Sequence, residues 1–126
     1  VDTEKVRAGA ASAIVSGAEV HLLNESQSIA RLIVIDVKTA CQPLTIHSHS
    51  VTSSLEDASD RNETLLVAIS PLQIRDTCNL GDESRWVPGK PDILRMSQGE
   101  IRWIGPGIHH FKNLLRHPAH FVLLEW

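Results

Sequence analysis

Residues Gly99 to Asn113 read GEIRWIGPGIHHFKN. A glycine closes one element, Ile101 to Ile104 forms a short apolar run, and Gly105-Pro106-Gly107 reverses the chain before a second run, His109 to Leu115. Glycine and proline at the reversal and β-branched residues on either side of it predict two strands joined by a turn. Side chains alternate across a strand, so an inward His109 brings Phe111 inward and sends His110 and Lys112 out. An inward His110 would turn Lys112 toward the core, which favours His109 as the inward histidine.

Upstream, Thr45 to Glu63 read TIHSHSVTSSLEDASDRNE. His47 and His49 are two residues apart on a strand and leave the same face, a spacing at which two imidazoles can share a metal ion. Seven histidines in the chain make such a pair common by chance, so the pair alone is weak evidence. Three acids follow in the polar run, Glu56, Asp57 and Asp60. Glu63 comes later, immediately before the apolar run Thr64 to Ile69.

The rest of the chain has the same texture. Short runs rich in Val, Ile, Leu and Thr lie at Glu19–Leu23, Ala30–Lys38, Leu44–Ser48, Thr64–Ile69, Leu72–Asp76, Ile93–Met96, Ile101–Ile104, His109–Leu115 and Ala119–Trp126. After Gly17 no stretch keeps a helical period. The expected fold is therefore all-β, a sandwich or jelly-roll-like barrel. Arg31 to Val37 is apolar on both alternating faces and is expected to be a central strand. Val1 to Gly17, rich in Ala, Ser and Gly, reads as an N-terminal arm (1–17) before a barrel domain (18–126). Ser50–Asn62 and Thr77–Asp92 are expected to be long connections, and Trp103 to pack in or beside the core.

Composition bounds the function. The chain has 126 residues, 42% of them hydrophobic and 21% charged, with a net charge of −3. That is one ordinary globular domain with no basic stripe for nucleic acid and no apolar run near the ~18 residues that span a bilayer. The sequence opens at Val1 without an initiator Met, which fits removal of an export signal as well as trimming, so the compartment stays open. Two cysteines, Cys41 and Cys78, leave a disulfide undecided. The absence of Tyr removes a tyrosine acid or oxyanion donor, and no serine sits in a nucleophile elbow.

Taken in order, the two histidine-bearing stretches resemble the two motifs of the cupin superfamily, G-x5-H-x-H-x(3,4)-E-x6-G and G-x5-P-x-G-x2-H-x3-N. The run ARLIVIDVKTACQPLTIHSHS is similar to the opening of small single-domain bacterial cupins. The resemblance spans Leu32 to Trp126. It implies a double-stranded β-helix, a jelly-roll-like barrel with a divalent transition metal (Fe, Mn, Zn, Ni or Cu) at its mouth. It carries the ligand roles to His47, His49 and a second-motif histidine.

Several positions depart from the pattern. Cys41 stands for the first glycine and Gly105 for the proline, and the second motif is one residue short. Counting from Gly107 lands on His110, whereas counting back from Asn113 lands on His109. The usual place of the acid falls on Ser53 or Ser54. Glu63 fits the downstream half of the motif better than Glu56, with the residues between Ser50 and Asn62 as an insertion. The implied ligand set is thus His47, His49, Glu63 and His109. The implied protein is a homodimer that binds a small molecule, either an oxygenase, isomerase or lyase or a non-catalytic binding or sensing domain.

Overall fold

The computed structural model describes residues 5–14, 16–37, 44–61, 63–79 and 91–125. Eight strands account for all the regular structure among them: β1 (Thr45–Val51), β2 (Ser54–Arg61), β3 (Thr64–Ala68), β4 (Leu72–Asn79), β5 (Asp92–Met96), β6 (Ile101–Ile104), β7 (Gly107–Asn113) and β8 (Ala119–Glu125). They form two four-stranded sheets, ordered β1-β8-β3-β6 and β2-β7-β4-β5, with every pairing antiparallel. First pairs with last, second with seventh, third with sixth and fourth with fifth, the nested order of a jelly roll.

The sequence alternation explains how the sheets face each other. On β1, His47 and His49 lie in register with Leu123 and Phe121 of β8, and β1 ends in buried Val51. On β4, Leu72 and Ile74 point the same way as Asp76 and Cys78, and on β7 His109 shares its face with Phe111 and Asn113. Leu66, Ile74, Leu94, Phe111, Phe121 and Leu123 are buried almost completely and join both sheets in one core. A second apolar layer lies on the outer face of the first sheet. It contains Leu65, Val67, Val122 and Leu124, with Ile35, Leu44, Ile46 and Ile69 packed against it.

The double-faced strand expected at Arg31–Val37 is β3 instead, buried at every position from Thr64 to Ala68. Residues 30–37 form no strand, and Leu32 and Val34 are 63% and 83% exposed. The reason is pairing. The central places of that sheet are taken by β8 and β3, which have ladder partners on both sides, and the run lays Ile35 on the outer apolar layer without pairing to an edge. The run at Glu19–Leu23 is likewise exposed and unpaired.

The polar stretch expected as a connection between Ser50 and Asn62 contains β2, which pairs with β7 through a register shift between Asp57 and Arg61. The second expected connection begins later than Thr77, because β4 runs on to Asn79; residues 80–90 lie outside the described residues. Trp103 is 55% exposed rather than core, since it stands opposite Leu65 on the outward side of β6, an edge strand. The arm approaches the sandwich at Gly9, whose φ of 84° suits glycine and where an added Cβ would lie 3.1 Å from Ile69 Cγ2.

Candidate functional site

Polar side chains collect on the inner face of the second sheet at the end of β4. Asp76 and Cys78 follow Leu72 and Ile74 in phase, so the alternation that builds the core carries an acid and a thiol inward. Cys78 stands opposite His109 in the ladder, and Asp76 opposite Phe111. The Asp76 oxygens lie 2.8 and 2.9 Å from His109 Nδ1. His109 Nε2 lies 2.7 Å from the carbonyl oxygen of Gly105. Nε2 donates to that carbonyl, and Nδ1 pairs with the Asp76 carboxyl group. Both residues are buried.

The thiol completes the cluster. Cys78 Sγ is 3.7 Å from His109 Nε2 and donates to the carbonyl of Pro106 at 3.3 Å. The Gly105-Pro106-Gly107 turn therefore presents two successive carbonyls to the imidazole and the thiol. Burial pushes the Cys78 thiol up, and the nearby Asp76 charge pushes it the same way. Cys78 is a free thiol, half-buried where Asp76 and His109 are buried. The question of its pairing with Cys41 falls outside the described residues.

His47 and His49 face the interior from the other sheet. Their rings stack with centroids 6.4 Å apart, and His49 lies 5.4 Å from Phe121. Phe121 in turn meets Phe111 at 5.5 Å, and Phe111 stacks on His109 at 5.7 Å. His49 also lines a cleft of about 480 Å³ between the arm at Ala8 and Gly9 and the strands β1 and β8. Among the described residues its polar lining is Ser48, His49, Ser50, Ser70, Gln98 and His120, with no Asp, Glu, Lys or Arg. His110, the other second-motif histidine, is half-buried, and Lys112 is exposed, as parity requires.

Glu63 is exposed, one residue before β3, and it is Thr64 that takes the buried position. The four residues of the expected ligand set are not brought together. Among the described residues no three His, Cys, Asp or Glu side chains converge as a metal site. His109 has Nδ1 on Asp76 and Nε2 on the Gly105 carbonyl. The described donors as arranged form no three-donor metal site. Asp76 and Cys78 went unassigned in the sequence, although the phase Leu72-Ile74-Asp76-Cys78 carried the signal.

No protein-family model matches the chain, and no curated protein matches it in sequence. Among solved structures it is similar to FeII HppE in complex with substrate, at 12% identity and a TM-score of 0.45, over 66% of this chain and 45% of that one. It is also similar to hydroxypropylphosphonic acid epoxidase from S. wedmorenis, at 14% identity and a TM-score of 0.45, over 66% and 43%. A third is Peruvianin-I, a cysteine peptidase from Thevetia peruviana latex, at 22% identity and a TM-score of 0.43, over 64% and 48%. The chain spans less than half the length of each. Likeness at this level transfers no chemistry to the site. Among the described residues no helix is long and apolar enough to cross a membrane.

Proposed function

We propose that this chain is a cupin-like jelly-roll domain that binds a small, uncharged oxygenated molecule in the cleft beside His49. The observation that carries this reading is the position of His49. It belongs to the histidine pair of the first motif, and its residue borders an open cleft of about 480 Å³ lined from the same two strands by Ser48, Ser50, His120 and Val122, on the outer side of the sheet. Hydroxyl, amide and imidazole groups in the lining suit hydroxyl and carbonyl groups of a ligand. Ile69 offers apolar surface for its carbon skeleton.

A thermal-shift screen of neutral polyols, sugars, lactones and ketones tests this. A binder should raise the melting temperature of the native chain and lose that effect in His49→Ala and in Ser70→Ala. Hits that shift His49→Ala as strongly as the native chain would remove the cleft from consideration. Recovery of the hit after incubation separates binder from enzyme: unchanged ligand supports the binding role, and a product supports turnover. The metal implied by the resemblance has its own test. Elemental analysis after exposure to Mn, Fe, Ni, Cu or Zn is expected to give no stoichiometric uptake. One equivalent retained, and lost in His47→Ala, would restore the ligand-set reading.

A further inference from the structure

Arg31–Val37 has the composition of a strand buried on both sides, as β3 is, yet it is covered on one side only. Ile35 packs on the outer apolar layer of the first sheet, and Ile33 Cδ1 lies 3.9 Å from the place a Cβ on Gly99 would take, just ahead of β6. The alternate side chains turn away, which leaves Leu32 63% and Val34 83% exposed. Ile101 and Trp103 stand opposite Val67 and Leu65 of that layer, so they share its outward face, and they are 53% and 55% exposed. Apolar ground thus extends from β6 onto the crossing segment. We propose that this face is where a second copy of the chain docks, the two first sheets meeting outer side to outer side about a two-fold axis.

Area, charge and position select a second copy as the occupant. Leu32, Ile33, Val34, Ile101 and Trp103 together leave roughly 400–500 Å² of apolar surface in water at their exposures. A standard interface takes about 800 Å² from each partner, about 57% of it non-polar, which is the same quantity. The stretch Leu32 to Ile35 carries no charge and is flanked by Arg31 and Asp36. A two-fold axis across the segment sets its two copies antiparallel, so Arg31 of one copy approaches Asp36 of the other and not its own like. The net charge of −3 puts little repulsion between copies, while its sign opposes an anionic lipid surface. Among the described residues the second sheet exposes a single large apolar side chain, Ile93 at 44%. Of the two sheets, then, the first alone offers a face that can bury itself against its own copy.

Docking in this way supplies Arg31–Val37 with the second cover that its composition calls for. Leu32 and Val34 leave water against the partner's sheet while Ile33 and Ile35 stay on their own. The segment becomes an internal layer of the pair, and no ladder bond of either sandwich has to open.

Sedimentation velocity of the full chain between about 1 and 100 µM tests this, a range that brackets the micromolar affinities such an area can give. The native chain should reach twice the mass of one chain at the upper end. Val34→Asp and Trp103→Thr, on two different elements, should each raise the dissociation constant at least about tenfold, because each change enters a two-fold interface twice. Ile93→Thr, also exposed but on the other sheet, should leave it unchanged. Val34 lies outside every strand and is largely exposed, and threonine is a strand former in β6, so both variants should keep the native far-ultraviolet spectrum. A chain that stays monomeric throughout would overturn the proposal, and flotation of that monomer with neutral phosphatidylcholine vesicles would assign the face to a bilayer instead. A dimer that either variant leaves at native affinity, or that Ile93→Thr weakens as much, would overturn it by placing the contact elsewhere. Mass is read without any ligand, so the outcome is independent of binding at the His49 cleft.

Discussion

Phe111 and Phe121 meet edge to face across the two sheets, with centroids 5.5 Å apart and planes at 67°. Each ring also carries a histidine, Phe111 packing on His109 and Phe121 on His49. The pair is thus both the centre of the core and the partition between the histidines of the two motifs. Phe121→Ala should destabilise the fold by about 3–5 kcal/mol, the usual cost of emptying a buried aromatic site. Urea unfolding with an unchanged slope would read that loss directly. A cost below about 1 kcal/mol would mean that the two sheets do not meet on this ring.

Asp76 and His109 form a second tie, on one sheet only. Asp76→Ala should cost roughly 3–5 kcal/mol, because it leaves the buried His109 Nδ1 without its carboxyl partner. Replacing the pair together, as Asp76→Leu with His109→Leu, should recover much of that loss. A double-mutant cycle measures the coupling between the two residues. Additive losses would dissolve the pair.

Asn113 is the polar anchor at the other end of the interior. Its amide nitrogen reaches the carbonyls of Val51, Thr52 and His117 at 3.1, 3.2 and 2.8 Å, and its oxygen accepts from the Leu115 backbone at 3.0 Å. Asn113→Ala leaves those groups to find water, at a cost of roughly 2–4 kcal/mol for several lost bonds. Hydrogen exchange at Leu115 should quicken in that variant. Protection at the parent's level would remove Asn113 from this role.

The Cys78 thiol titrates upward of its ordinary range through burial and the Asp76 charge. In the Cys41→Ser background, thiolate absorbance should therefore appear at higher pH in the folded chain than in guanidinium. The sign for stability follows. The unfolded thiol ionises first as pH rises, so the folded state loses stability above the unfolded thiol's range, about pH 8.5, and is unaffected below it. A folded midpoint at or below the unfolded one would contradict the burial seen here.

Seven of the eight strands were legible as short apolar runs, because alternation and turn residues act locally. Two kinds of feature were not. Arg31–Val37 has the composition of a central strand but lacks neighbours, and ladder partners are a property of the whole topology. Ser54–Arg61 has the composition of a loop but pairs with β7, where edge position tolerates polar residues. At the site, strand parity sufficed to turn His109 inward. The neighbours of His109 depended on which strand lies beside β7, and Cys78 is thirty-one residues away in sequence.

The nested pairing has a consequence for how the chain acquires its shape. β4 and β5 can form a hairpin early, but β1 has β8 as its sheet neighbour and the two are separated by nearly the whole folded region. Closing so long a loop is slow relative to local pairing, so β1 should dock last. Until then His47, His49 and the apolar edge of β8 stay in water, and the incomplete sandwich offers a bare strand edge to other chains. Histidines that belong to the interior in the finished molecule are therefore the last side chains to enter it, and aggregation during synthesis or refolding should begin at β8.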